Sequence, residues 1–325
     1  MDNKRAIGRY YTRGNPFKLS PFINWVNKAN IQENTIIEPF AGAKDIPNLI
    51  DSAHLEYKRW ELFDLHPGAN GIQKRDTLTD FPKGFKVCIT NPPWLARNSA
   101  TRRGLPYPKD THYDDMYKYA LDLCLNNCNW VAAIIPEAFI RSNLFLDRLS
   151  DFISLVPEKE QTMSIERKSN SVNSMFEDTE HPVGLALFNP NETSDVIVWR
   201  NNQKLGTLAE LRHYLPQPSR NRKIRFNEPD GNLGLVAIDN TVSPSIRFCP
   251  PKELGEYPVR YHGRSITKIM VDGEVKICKL NSRLKLIREK THDVFLTAFK
   301  GLRRDGFYRR RLDWGLARAI VDEDN

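Results

Sequence analysis

Asn91, Pro92, Pro93 and Trp94 follow directly on the apolar run Val87-Cys88-Ile89 and Thr90. That run reads as a buried strand. Two prolines cannot donate to a sheet ladder, so the strand must end at them. Asn91 then sits at the carboxyl end of a strand, where open α/β sheets place their ligands. Its side chain offers an amide oxygen. A residue before a proline is pushed to an extended shape, which keeps the carbonyls here out of helical bonding. Two oxygens aimed at one point, with an aromatic ring beside them, suit an amino group on a flat heterocycle. A plain strand-ending turn is the other interpretation, and the four letters alone do not choose between the two.

Three acids upstream widen the chemistry. Thr35-Ile36-Ile37-Glu38 is an apolar strand ending in an acid, followed by Pro39, Phe40, Ala41, Gly42 and Ala43. Small residues let a ligand approach the backbone closely, and residues 46 to 50 continue as a helix. This is the strand–turn–helix of a nucleotide-type site at a first crossover. It is not a phosphate loop, because no Gly-Lys-Ser/Thr follows and Glu38 would repel a phosphate. The acid suits a cationic or hydroxyl-bearing ligand. Lys44 stands where a third small residue would complete a tight turn. Asp64 closes a second strand-like run, Tyr57 to Phe63, where an acid can accept both hydroxyls of a ribose; a solvated loop acid is the alternative. Asp76 ends a third segment and could accept from the exocyclic amine of an adenine, or simply cap a helix.

The elements that must position these groups alternate. Ser20 and Pro21 open a helix carrying Phe22, Ile23, Trp25 and Val26. Residues 95 to 112 form a polar loop with Arg97, Arg102, Arg103 and Lys109, and residues 113 to 128 a helix. Trp130 to Ile135 is another buried strand, and Pro136-Glu137-Ala138-Phe139 starts a further helix. Strand–helix alternation from 35 to 140 predicts a doubly wound, mostly parallel α/β sheet. Later strands near 161–167, 183–188 and 195–199 predict an antiparallel edge. A loop over residues 7–17, holding Tyr11 and Thr12, could wall a ligand site or pack as an arm.

From about residue 200 prolines cluster, and the chain divides into 1–199 and a smaller mixed α+β region, 200–325. Val271-Asp272-Gly273-Glu274-Val275 signals a hairpin, and Leu280 to about Leu302 a helix. Arg220, Arg222, Lys223 and Arg225 form one basic run; Arg303, Arg304, Arg309, Arg310 and Arg311 crowd around Phe307, Tyr308 and Trp314 in another. Arginine interleaved with aromatics offers charge for phosphates, flat faces for bases and forked donors for base edges. A formal charge of +8 on 325 residues points to a polyanionic partner. Five cysteines without zinc-like pairing read as reduced core thiols. With no apolar span and no leader visible at the polar N-terminus, the expected location is cytoplasmic, nucleoid-associated in a prokaryote or phage-infected cell.

The order of these motifs resembles that of the amino-group DNA methyltransferases that use S-adenosylmethionine, specifically the gamma-ordered N6-adenine group of restriction-modification systems. The motifs are a Tyr-Thr loop, Glu-Pro-Phe-Ala-Gly-Ala, an acid after the second strand, Asn-Pro-Pro-Trp, then Ile-Ile-Pro-Glu-Ala-Phe. They cover roughly residues 7 to 190. The resemblance implies a class I methyltransferase sheet, an S-adenosylmethionine-binding catalytic domain at 1–199 and a target-recognition region at 200–325. It also implies roles. Tyr11 and Thr12 would hold the methionine end of the cofactor. Glu38, Pro39, Phe40, Ala41 and Gly42 would form the cofactor loop, with Asp64 on the ribose and Asp76 on the adenine. Asn91, Pro92, Pro93 and Trp94 would be the catalytic motif, with Phe176 and Trp94 stacking on a flipped base, although His181 competes for the place of Phe176. Lys44 departs from the family's small residue, and Trp94 from its more frequent Tyr or Phe. Arg303, Arg304, Arg309, Arg310 and Arg311 are the expected DNA contacts, read from the residues themselves. The partners expected are double-stranded DNA and a restriction endonuclease acting on the same site, with the chain a monomer and no metal. RNA-adenine or cytosine-N4 methylation, methylation of a protein glutamine, and an inactive nucleic-acid-binding fold are the alternatives.

Overall fold

The computed structural model describes residues 15–109, 111–156, 182–191, 195–217, 222–255 and 265–323. They form two compact units, one reaching to Leu155 and resuming from Pro182 to Lys204, the other running from Leu205 onward.

The first unit opens with α1 (Ser20–Ala29). Its cap position is held by Leu19 rather than Ser20, and Pro21 sits in the first turn, where a missing N–H costs nothing. Ser20 instead bonds Asn202 Oδ1 through its amide (2.7 Å) and its hydroxyl (3.0 Å). Phe22, Trp25, Val26 and Ala29 recur at helical spacing and are buried. Asn30, in the left-handed region at φ 49°, ends the helix. Then come β1 (Thr35–Glu38), α2 (Asp45–Ser52), β2 (Arg59–Asp64), β3 (Gln73–Lys74), β4 (Val87–Thr90), α3 (Arg97–Arg103), α4 (Met116–Asn127), β5 (Trp130–Pro136), β6 (Leu149–Leu155), β7 (Val183–Phe188), β8 (Ile197–Arg200) and β9 (Gln203–Thr207).

The nine strands form one sheet in the order β3-β2-β1-β4-β5-β7-β6-β8-β9. Neighbours from β3 to β5 run parallel. β7 runs against both β5 and β6, and β8 runs with β6. This is a mostly parallel α/β sheet, with the antiparallel strand β7 inserted between β5 and β6. The strand order reverses between β1 and β4, so their carboxyl ends flank the topological switch point. β4, β7 and the centre of β5 are buried on both faces, which is why they read as unbroken apolar runs. Gly184 is required in β7, because the ring of Phe152 occupies the space a Cβ would fill. The strand expected near 161–167 lies outside the described residues. β6 went unanticipated: its Ser150, Asp151 and Ser154 break the apolar run.

The second unit carries α5 (Leu208–Arg212), closed at its start by a reciprocal Thr207–Glu210 capping box. Its sheet, β10 (Ile224–Phe226), β11 (Leu233–Val236), β12 (Arg247–Cys249) and β13 (Ile266–Val271), is antiparallel in the order β10-β13-β11-β12. α6 (Ile277–Thr291), the hairpin of β14 (Thr297–Leu302) and β15 (Tyr308–Arg311), and α7 (Trp314–Glu323) complete it. Its core includes Leu233, Leu235, Phe248, Ile269, Leu284, Ile287 and Ile320. Two expectations fail here. Asp272-Gly273 is no hairpin tip: Gly273, at φ 85°, turns β13 into α6. The helix expected to Leu302 stops at Thr291, because His292 and Asp293 both take positive φ, 52° and 62°. The β-forming run after them then pairs with β15.

A candidate active site at the strand tips

Glu38 ends β1 and is 2% exposed. Its carboxylate accepts the backbone N–H of Asn91, the residue after β4. Its Oε2 is buried without a hydrogen bond among the described residues. Burial pushes the Glu38 carboxyl well above the usual range; the Asn91 amide opposes this, and the charges of Asp45 and Asp64 add to it.

Asp64 ends β2 and is 6% exposed. Its Oδ2 accepts the N–H of Gly42 at 2.8 Å, and its Oδ1 the N–H of His66 at 2.7 Å. Ala41 N–H reaches Phe63 O, and Gly68 N–H reaches Gly42 O, each at 2.8 Å. The turns after β1 and β2 are thus stitched backbone to backbone. Gly42 has φ 52°, and an added Cβ would meet nothing within 4 Å, so the space beside this turn is open. Lys44, next in the turn, takes φ 67°. That conformation costs a non-glycine residue about 1–2 kcal/mol. Its Nζ lies 3.3 Å from where a Cβ on Gly71 would stand, so the side chain reaches back over the loop after β2.

The third turn joins through Thr77, whose buried hydroxyl donates to Pro39 O at 2.8 Å. Asp76 acts as a cap: its Oδ1 accepts Leu78 N–H at 3.1 Å and its carbonyl accepts Asp80 N–H at 2.9 Å. Phe40 is half-buried and Ala41 buried.

At the β4 tip, Asn91 and Pro93 are half-buried and Pro92 is buried. Trp94 is 9% exposed, so most of the ring expected to stack on a base is covered. The segment is held from behind by Asp115, the α4 cap, whose Oδ1 accepts Leu95 N–H at 3.1 Å while Leu95 O accepts Met116 N–H at 3.0 Å. Burial raises the Asp115 carboxyl to about 6, against the pull of the Tyr117 and Leu95 amides. Sequence reasoning missed Asp115, although an Asp before an apolar helical run is a legible cap. The expected polar loop after Trp94 contains α3. Arg97 is anchored in it: its Nη2 donates to Tyr113 O at 2.8 Å and to Thr111 O, and its guanidinium lies 4.9 Å from the Tyr107 ring centre.

Glu38, the Pro39–Gly42 turn, Asp64, the Asp76-Thr77 turn and Asn91 are therefore joined by direct hydrogen bonds. Tyr11, Thr12, Phe176 and His181 lie outside the described residues. The five arginines expected to face DNA do not form one exposed patch. Arg303 and Arg310 are 7% and 4% exposed. Arg303 pairs with Asp239 and Asp305, both at 3.0 Å. Arg309 donates through Nε to Asp239 O at 2.7 Å. Arg304 is exposed, and Arg309 and Arg311 are half-buried. Arginine pattern alone could not show this, because the acid that draws Arg303 inward lies 64 residues away.

No family model matches the chain, and no curated protein matches it. Solved structures that the chain matches in part include a modification subunit assigned to a type I restriction enzyme of Vibrio vulnificus YJ016, at 13% identity and TM-score 0.38, covering 61% of this chain and 48% of that one. A type I restriction-modification methyltransferase subunit from Streptococcus thermophilus matches at 15% identity and TM-score 0.38, covering 62% and 51%. A chain assigned as a class I S-adenosylmethionine-dependent methyltransferase from Listeria monocytogenes matches at 11% identity and TM-score 0.36, covering 58% and 65%. The chain thus spans about half the length of the first two. The fold assignment rests on the strand order and register of the sheet itself.

Proposed function

We propose that the chain is an S-adenosylmethionine-dependent methyltransferase acting on the N6 amino group of adenine in double-stranded DNA. The observation that carries this reading is the bond between the tips of β1 and β4, where the Asn91 amide rests on the buried Glu38 carboxylate. In this reading it would set a site for a cation against a site for an amine.

The residues present fit the cofactor. A buried carboxylate with an oxygen outside any hydrogen bond among the described residues suits an ammonium or sulfonium group. The open space beside Gly42 lets a ligand meet the backbone. S-adenosylmethionine supplies an electrophilic methyl group. Glu38 and the turn from Pro39 to Gly42, with Phe40 and Ala41, would hold it, with Tyr11 and Thr12 at the methionine end. Asp64 would accept from the ribose, and Asp76 from the adenine.

The target N6 lone pair is delocalised into its ring and is a poor nucleophile. The Asn91 side-chain oxygen and the Pro92 carbonyl would accept the two amino hydrogens, favouring a pyramidal nitrogen. Pro92 and Pro93 hold the tip extended, so little reorganisation is needed. The base must leave the duplex to reach this point. Trp94, with Phe176, would then replace lost stacking, and Trp94 must turn outward to do so. The second unit is proposed as the target-recognition region, with Arg304, Arg309 and Arg311 available to phosphates. A restriction endonuclease sharing the recognised site remains the proposed partner of a monomeric chain.

A non-catalytic nucleic-acid-binding fold is the second reading. It is favoured by Asp64, whose two oxygens each already hold a backbone amide, and by Lys44 in the turn. Nucleoside mass spectrometry of adenine-containing duplex DNA incubated with the protein and S-adenosylmethionine separates the two. Methylation at N6 is expected, and Asn91→Ala should lower its rate about 10²–10³-fold while cofactor binding persists. Methylated cytosine or RNA would redirect the substrate assignment, and an Asn91→Ala variant of full activity would remove the mechanism.

A further inference from the structure

The second unit presents an aromatic stack that the arginine pattern does not account for. Trp314, the first residue of α7, is 40% exposed. Its ring lies 5.1 Å from that of Phe226 with an interplanar angle of 16°. Phe226 ends the edge strand β10 and packs against the unit's core. One helical turn along α7, the Arg318 guanidinium lies 5.3 Å from the same Phe226 ring centre, and its Nη1 donates to Ile224 O at 2.7 Å. Lys223 and Arg225, on either side of Ile224, are exposed. Glu228 pairs with Arg225 at 3.2 Å, and Asp313 is spent on the Leu316 amide at the helix start.

An indole held flat on a packed phenyl ring has already lost its rotamer freedom, so stacking on its open side costs little further ordering. Arg318 shares the Phe226 ring with it, and Lys223 and Arg225 are exposed cations on the edge-strand segment that carries Phe226. We propose that Trp314, seated on Phe226, is a stacking platform for an unpaired nucleobase of a nucleic-acid strand whose phosphate is met by Arg318, with the exposed Lys223 and Arg225 adding charge along the edge strand. Flat apolar face plus flanking cations is the combination by which proteins hold single-stranded nucleic acid, and the charge favours this occupant over an apolar protein segment. The inference rests on the reading that the chain handles nucleic acid, and adds a contact surface outside the strand-tip site and outside Arg303–Arg311.

The test is fluorescence anisotropy of a labelled single-stranded oligodeoxynucleotide titrated with the full chain, with S-adenosylmethionine binding measured on the same preparations. Trp314→Ala should raise the dissociation constant about tenfold and Trp314→Tyr much less. Arg318→Ala should weaken binding and flatten its dependence on salt. Quenching of tryptophan emission by unlabelled oligonucleotide should shrink in Trp314→Phe, which keeps a ring on the stack and so guards against misfolding of the alanine variant. Equal affinity of Trp314→Ala and wild type, absence of oligonucleotide binding by the wild type, or self-association lost in Trp314→Ala would each overturn the proposal. Failure to bind S-adenosylmethionine would sink the methyltransferase reading and leave the stacking result standing.

Discussion

Two buried acids, one in each unit, meet opposite fates. Asp239 in the second unit has a fully buried side chain and is surrounded by donors. Arg288 grips it with two bonds of 2.9 and 2.8 Å, Arg303 adds a third at 3.0 Å, and the amides of Ser245 and Ile246 donate at 2.7 and 3.2 Å. Burial alone would raise its carboxyl, but Arg288 and the amides hold it below the usual range. Glu38, equally buried, has one backbone amide and carboxylate neighbours, and its carboxyl sits well above the range. A saturated acid serves the fold, since its charge is matched by the chain itself. An acid left short of donors at a strand tip is the one we propose to serve a ligand.

Breaking the saturated acid should have the largest effect. Asp239→Ala strands Arg288 and Arg303 and should cost about 3–5 kcal/mol of stability, read by urea denaturation of the full chain. A loss below 1 kcal/mol would mean that water replaces the carboxylate and that the pairing matters little.

The same contrast has a sign in pH. Asp239 is lowered on folding, so its stabilisation is present above the unfolded carboxylate value near 4 and lost as pH falls through its folded value. Glu38 is raised, so its folded form holds a proton more tightly, and stability falls as pH rises from about 4 toward its folded value. Acid titration watched by hydrogen exchange should therefore loosen β15 and α6 first and spare the tips of β1 and β4. The reverse order would contradict both assignments.

Lys44 offers the smallest and most local test. Lys44→Gly relieves a left-handed residue and should raise stability by about 0.5–1 kcal/mol. A loss would show that the reach of its side chain over Gly71 matters more than backbone strain.

Much of the first unit was legible because its signals are local. Val87–Thr90 followed by two prolines fixes a strand end, and the alternation up to β5 fixes a parallel sheet. The clustering of Glu38, Asp64 and Asn91 follows, because all three end adjacent or near-adjacent strands. What the chain did not disclose depends on distant partners. The Asp64 oxygens meet Gly42 and His66 through turns whose shape no letter states. Trp94 reads as an open stacking face until the protein around it is seen to cover it. In the second unit Arg303 and Arg310 read as surface until Asp239 is brought beneath them. The turn at Asp272-Gly273 likewise joins a strand to a helix, because residues after Val275 favour a helix over a returning strand.

The most direct test of the central claim is calorimetric titration of S-adenosylmethionine into the wild-type chain and Glu38→Gln, repeated in buffers of different ionisation enthalpy. A cation settling on Glu38 should drive off the proton that burial retains, so the wild type should bind more tightly as pH rises and release protons to the buffer. Glu38→Gln should bind at least tenfold more weakly with no such release, while unfolding at a higher temperature than the wild type without ligand. Equal affinity and equal proton release in the two proteins, or no binding by the wild type, would contradict the account.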